Sequence, residues 1–237
     1  MRASPAQGAA PCRRHDCLHI LAACRAVWPA GGAVTVSTAR PLDRPAGGVS
    51  SDGVRAMPRI ICSINATLSG TCHHGDVVAD AEHHRYAAAL ARSAAALLLG
   101  RATYELFAAF WPRALHRRDL PAEVLELARV LDAKPRIVVS GREPATAWPG
   151  TTRVAGLEAL RATLAGIGGS VVLFGSPGLA ASLAAAGMLD EVHILLQPLF
   201  ATRGPRLPPL WAGQAFRTVS AERFGSGVVL LRCRPAG

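Results

Sequence analysis

"SVVLFGSPGLAASLAAAGMLDEVHILLQPLF" occupies residues 170–200, and the fold turns on how it is read. An apolar run, 170–175, stops at Gly175, and Ser176, Pro177 and Gly178 open a stretch of small residues that closes at Gly187. A second apolar run follows from Asp190. The outer pieces have the length and β-branched content of strands, whereas the middle piece is long and Ala-rich, as helices are. Strand, helix, strand predicts a crossover between parallel neighbours. An unbroken apolar strand such as 171–174 belongs in a sheet covered on both faces.

The same grammar extends outward. Residues 59–68 predict a buried strand, 80–93 a helix with Asp80 and Glu82 in its first turn, and 95–99 a short strand ending at Gly100. Helices are predicted over 102–111, ending at Pro112, and over 121–133, with Pro121 in the first turn. Strands follow at 136–140 and 151–155, and then a helix at 157–167 closed by Gly168 and Gly169. Two antiparallel strands around Gly225 and Gly227 complete the chain. The expected fold is α/β, with a mostly parallel central sheet flanked by helices and a C-terminal antiparallel hairpin.

Half of the 237 residues are hydrophobic and 18% are charged, a globular composition. No apolar stretch reaches the ~18–20 residues of a membrane-spanning helix, so no membrane partner is expected. The net charge is +10 and is carried almost wholly by Arg, Lys134 being the single Lys. Such a balance suits anionic ligands, and coding bias is an equal account of it. Basic runs interleaved with aromatics are absent, so nucleic acid is not expected. The six cysteines form no C-x-x-C pair and read as reduced thiols of a cytoplasmic protein.

Residues 1–56 stand apart, being rich in Ala, Arg, Pro and Gly without periodicity. Arg25 interrupts the apolar segment after the pair Arg13–Arg14, which argues against a signal peptide. A transit sequence, an unstructured extension, or a start placed too early, with Met57 the natural initiator, are the readings of this segment, and 57–237 is the expected folded domain. A basic extension that binds nucleic acid is a further reading of the same residues.

Three predicted strands end alike. Gly100 is followed by Arg101 and Thr103, Ser140 by Gly141 and Arg142, and Gly175 by Ser176, Pro177 and Gly178. In open α/β sheets ligands gather at the carboxyl ends of strands, where helix N–H groups point outward. Small residues, hydroxyls and planar cations there suit phosphate. Each alone also reads as an ordinary turn with a cap; together they point to a dinucleotide bound without a G-x-G-x-x-G fingerprint.

"LLLGRATYELFAAFWP", "RIVVSG" and the segment from Val171 to Leu207 resemble the dihydrofolate reductase fold. The nearer likeness is to its branch formed by the reductase domain of the bifunctional riboflavin-biosynthesis enzyme (RibD C-terminal-like) and stand-alone relatives. The resemblance implies a homodimeric reductase that takes hydride from NADPH, with a small pterin-, flavin- or aminouracil-like substrate. By the same resemblance Gly100, Arg101 and Thr103 hold cofactor phosphates, Ser140 and Arg142 meet the adenosine ribose and its 2′-phosphate, and Gly175, Ser176 and Leu179 follow the pyrophosphate. The chain departs from the family pattern at Cys62, Ser69 and Phe174, where Lys, Asp and Glu are expected. A nucleotide-binding protein of the same fold without turnover is the alternative these departures leave open.

Hydride transfer to C=N or C=O also needs a proton. Asp80 is one candidate source, although an acid there also serves the N-terminus of its helix. Asn65 and Thr67, on the first strand, are candidates to orient substrate. "TCHHGD" and "EHHR" offer metal-ligand types, but adjacent helical residues point about 100° apart. The histidines are therefore expected to face solvent, with no metal.

Overall fold

Strand β1 (Arg59–Thr67) runs through the middle of the molecule, buried along nearly its whole length. It does so because both faces are covered, and its residues divide by the period of two that strands impose. Ile60, Cys62 and Ile64 pack on one side of the sheet, and Ile61 on the other. The computed structural model describes residues 57–207 and 211–236; the readings of residues 1–56 lie outside them.

Eight strands form one sheet in the order β4-β3-β2-β5-β1-β6-β8-β7. They are β1, β2 (Ala96–Gly100), β3 (Arg136–Val139), β4 (Thr151–Val154), β5 (Ser170–Phe174), β6 (Glu191–Gln197), β7 (Phe216–Arg223) and β8 (Val229–Pro235). All pairings among β1 to β6 are parallel, and β8 is antiparallel to both β6 and β7. This is the mostly parallel sheet with a terminal hairpin that the sequence predicts. Helices α1 (Ala81–Ser93), α2 (Arg101–Ala114) and α3 (Ala122–Ala133) cover one face, over Leu97, Leu99, Val138 and Val172. Helices α4 (Gly156–Leu164) and α5 (Pro177–Ala185) cover the other, over Leu98, Ile137, Val171 and Leu173. Leu97, Leu98 and Leu99 are each wholly buried, which only a doubly covered strand permits.

Two helix ends differ from the sequence reading by three residues, and one is α4, which stops at Leu164 and not at residue 167. Helix α2 runs through Pro112 to Ala114 rather than stopping at the proline. Pro112 removes one intrahelical N–H, but Ala114 is packed against Leu120, Val124 and Ala128, and that burial holds the last turn in place.

Arg136 opens β3 and is buried, contrary to the usual preference of its kind. Its guanidinium donates to the carbonyls of Leu131 (2.6 Å), Asp132 (3.0 Å) and Lys134 (2.8 Å), and to that of Pro149. It also lies 4.1 Å over the ring of Trp148. One side chain thus satisfies the end of α3 and the turn into β4 together. Gly150 has φ +80°, and a Cβ there would stand 2.9 Å from Arg136 Nη2. Arg136→Leu strands these carbonyls and is expected to cost about 2–4 kcal/mol, read by urea unfolding. Arg136→Lys, with no planar fork, is expected to recover less than half of it.

Candidate functional site

Because β1, β2, β3 and β5 are parallel, their carboxyl ends share one edge of the sheet. A cavity of about 1770 Å³ opens there on the face of α1, α2 and α3. The ends of β2 and β5 supply one wall and β1 with α1 the opposite one.

The first wall is stitched from the residues that end the two strands. The Gly100 N–H donates to Ser176 Oγ (2.9 Å), whose hydroxyl donates to the Phe174 carbonyl (3.1 Å). The Ser176 N–H donates to Thr103 Oγ1 (3.2 Å). Gly175 and Ser176 both take left-handed backbone, φ +56° and +54°, and Ser176 is the one non-glycine residue with positive φ among those described. A Cβ on Gly100 would crowd Ser176 Oγ at 3.2 Å, so the missing side chain is what lets the strands close up. Helices α2 and α5 begin at this seam with no side-chain cap and no acidic residue in the first turn. Their first-turn N–H groups and dipoles therefore face the cavity edge without a built-in counter-group.

The remaining residues of this wall are placed less directly. Arg101 Nη1 binds Glu105 at 3.0 and 3.1 Å, and Glu105 also accepts from the Ala145 N–H (3.3 Å). Leu179 lines the cavity and packs on the α4–α5 core. Ser140 is buried at the end of β3, where its Oγ accepts from the Arg142 N–H (3.2 Å) and so closes a turn. Arg142 is exposed. Both stand one strand beyond Gly100, outside the cavity lining.

On the opposite wall Asn65 and Asp80 line the cavity and Thr67 does not. Asn65 Oδ1 accepts from Gln197 Nε2 (2.9 Å) and from His83 Nε2 (3.2 Å). Gln197 is itself oriented by the Val78 N–H, which donates to its Oε1 at 2.9 Å. With its oxygen doubly engaged, the Asn65 carboxamide presents its NH₂ as the remaining donor. Asp80 is the N-cap of α1, accepting from the His83 N–H at 2.7 Å, as the helix-terminus reading expects. Thr67 is buried in the turn after β1, where Oγ1 binds Thr71 Oγ1 (2.7 Å) and Ser69 Oγ (2.9 Å). Cys62 faces the α4–α5 core, its thiol pushed up by burial, and stands away from the cavity that Phe174 lines.

His83 and His84 correct the expectation of solvent-facing histidines. His84 is buried and donates from Nδ1 to the Asp80 carbonyl (2.6 Å). His83 lines the cavity, with Nδ1 buried and unpartnered. Burial and the neighbouring His84 lower its pKa to about 4. A helix pattern does not reveal these contacts, because the partners Asn65 and Gln197 come from distant strands. Among the described residues no group of three His, Cys, Asp or Glu is arranged to hold a metal, and no helix is long and apolar enough to cross a membrane.

One set of residues lay outside the sequence reading. Ser63 Oγ lies 3.1 Å from Tyr86 Oη, Tyr86 Oη 2.8 Å from His193 Nδ1, and His193 Nε2 2.7 Å from Glu191 Oε1. Arg59 (3.0 Å) and Arg234 (3.1 Å) both bind Glu191 Oε2. Hydrogen bonding to His193 is the first cause that holds the Glu191 carboxyl down to about 2. The signal was present in β6, where Glu191, His193 and Gln197 recur at even spacing within an otherwise apolar interior strand.

Residues 58–230 match the family of the RibD C-terminal domain. No curated protein matches the chain. Among solved structures, one assigned to riboflavin biosynthesis from Shewanella sp. PV-4 aligns at TM-score 0.55 and 18% identity, over 76% of this chain and 99% of its own. A diaminohydroxyphosphoribosylaminopyrimidine deaminase/5-amino-6-(5-phosphoribosylamino)uracil reductase from Thermotoga maritima aligns at 0.53 and 17%, over 76% of this chain and 57% of its own. RibD from Acinetobacter baumannii aligns at 0.52 and 15%, over 76% and 58%. At such identities the likeness is one of fold.

The buried imidazole gives a pH signature. His83 has its folded value near 4 against 6.5 when unfolded, so between those limits the unfolded chain holds more protons. Stability is therefore expected to fall by up to about 3 kcal/mol as pH drops from 6.5 to 4. Glu191, lowered from 4.5 to about 2, adds a second loss below that window. Urea unfolding across pH measures both, and His83→Gln is expected to flatten the upper part alone.

Proposed function

The chain belongs to the RibD C-terminal domain family, and from that membership we propose an NADPH-dependent reductase acting on a small heterocycle of pterin, flavin or aminouracil type. The observation that carries this reading is the stitched pair of uncapped helix starts on one large cavity. The residues present fit the cofactor. Two dipole ends and their first-turn N–H groups suit the pyrophosphate, and glycine at positions 100 and 175 permits close backbone approach. Arg101 reaches the same seam, its charge shared with Glu105. Arg142, exposed beyond β3, is the cation available to a 2′-phosphate. When bound, NADPH supplies the hydride. Asn65 then offers its NH₂ to an acceptor group on the substrate, held in that sense by Gln197 and His83, and Phe174 gives a flat ring an apolar surface. The same reading makes the protein a cytoplasmic homodimer.

The alternative, a nucleotide-binding protein without turnover, draws on Phe174, an apolar ring on the cavity where the family has an acid. Fluorescence titration with NADPH, followed by aminouracil, pterin and flavin acceptors monitored in the reduced-nicotinamide band, separates the two: tight binding with no oxidation selects the alternative. In the reductase reading NADPH binds more tightly than NADH. Arg142→Ala is expected to weaken NADPH binding about 10- to 100-fold and leave NADH within about twofold, since only the extra phosphate is lost. Equal weakening of both removes Arg142 from that role.

A further inference from the structure

Ser63 sits on β1 between two neighbours of different character. On one side it pairs in register with Phe174, and its carbonyl accepts from the Gly175 N–H at 2.8 Å, at the seam proposed for the cofactor. On the other it pairs in register with His193. Ser63 and Tyr86 line the cavity, whereas His193 and Glu191 are buried behind them. We infer that Tyr86, recharged by His193 and Glu191 and delivering through the Ser63 hydroxyl, supplies the proton that accompanies reduction; this rests on the reductase reading above.

The chemistry of the chain decides the roles. Burial pushes the Tyr86 phenol well above its ordinary range, so it cannot part with a proton unless another arrives in the same movement. His193 can provide it, because the Glu191 carboxylate beside Nε2 stabilises an imidazolium. In that form Nδ1–H donates to the Tyr86 oxygen, Tyr86 O–H to Ser63 Oγ, and Ser63 O–H to the acceptor heteroatom.

Hydride adds to the acceptor carbon of C=N or C=O, and the π pair moves to the heteroatom, which takes the Ser63 proton. Ser63 takes the Tyr86 proton and Tyr86 the His193 Nδ1 proton, leaving neutral imidazole with Nε2–H on Glu191. The net change is one hydride and one proton consumed. Once product leaves, a solvent proton entering from the cavity at Ser63 Oγ runs the relay in reverse, Ser63 O–H to Tyr86 and Tyr86 O–H to His193 Nδ1, and restores the imidazolium beside Glu191.

The charged and titratable groups facing this pair come from every packed element. They are Glu191 on the same strand, Tyr86 on α1, Arg232 and Arg234 on β8, and Arg59 on β1, with the Cys62 thiol on the far side of that strand. Arg232 is drawn off to Glu222 (3.3 Å), which leaves Glu191 as the carboxylate hydrogen-bonded to the imidazole. Tyr86 and Ser63 are the groups at the reacting centre; His193 and Glu191 are positioning residues.

The test has two arms on the full chain. In the first, ¹⁵N spectra of histidine-labelled protein identify the neutral tautomer of His193, assigned by loss of its signals in His193→Gln. The expected form is Nε2–H, with the Nδ1 signal moving downfield in Tyr86→Phe as its donor is lost; an Nδ1–H tautomer overturns the chain whatever the activity. In the second, single-turnover oxidation of NADPH by dihydrofolate is followed across pH. Tyr86→Phe, which keeps the ring against Phe224, is expected to slow the step about 100-fold or more with NADPH affinity within about twofold. Glu191→Gln is expected to move the alkaline limb of the rate to lower pH, a change that a packing role would not produce. A native rate in Tyr86→Phe or an unmoved limb in Glu191→Gln overturns the assignment. Where dihydrofolate is not reduced the tautomer decides alone, and failure of native protein to bind NADPH sinks the reductase reading separately.

Discussion

The hydrogen bond from the Gly100 N–H to Ser176 Oγ joins the ends of two neighbouring parallel strands, and the site is organised around it. Two helix starts at one seam would ordinarily repel, since each carries about half a positive charge. The strands β2 and β5 leave them no alternative, because both are buried on two faces and fixed in register. The seam resolves the conflict only in part. Ser176 satisfies one strand end and Thr103 one N–H of the turn, while left-handed backbone at Gly175 and Ser176 turns the chain sharply into α5. What is left is a concentration of positive potential beside a large cavity, produced chiefly by main chain, with the charge of Arg101 shared with Glu105.

That distinction changes the meaning of the net charge of +10. Much of the arginine is spent within the fold. Arg136 lies under the α3 terminus, Arg59 and Arg234 bracket Glu191, and Arg85 and Arg92 tie α1 to Glu123 and Glu126 on α3. Exposed pairs of this sort contribute little each. The buried Glu191 cluster is different, since it holds a carboxylate ionised beside a histidine in the interior.

The layout of elements was legible because the central strands β2, β3 and β5 are nearly unbroken apolar runs and each helix has a distinct small-residue or amphipathic pattern. The seam was legible for a related reason: glycine, serine and threonine directly after an apolar strand have few uses besides a tight turn. The facing wall was not. Asn65 and Thr67 lie two residues apart on one strand, yet Asn65 reaches the cavity and Thr67 is consumed by Ser69 and Thr71 where the chain leaves the sheet. Spacing fixes which side of a sheet a residue takes, not where the cavity ends. Cys62 illustrates the complement, one residue from Ser63 and on the opposite core. Helix α2 passed its proline because Ala114 found a pocket made by α3 and its approach, a partnership between segments that a local pattern does not contain.

Arg136 and Gly150 have a consequence for how sequences of this shape diverge. A methyl group at 150 and a guanidinium at 136 cannot share the same 2.9 Å, and the backbone there is left-handed besides. Replacement of the arginine would relax the crowding but leave the turn's conformation still favouring glycine. The two positions are therefore ordered in time: during drift the arginine can be lost first, and only afterwards does the glycine become free to vary. Homologues should include pairs with both residues, pairs with glycine alone, and very few with arginine alone.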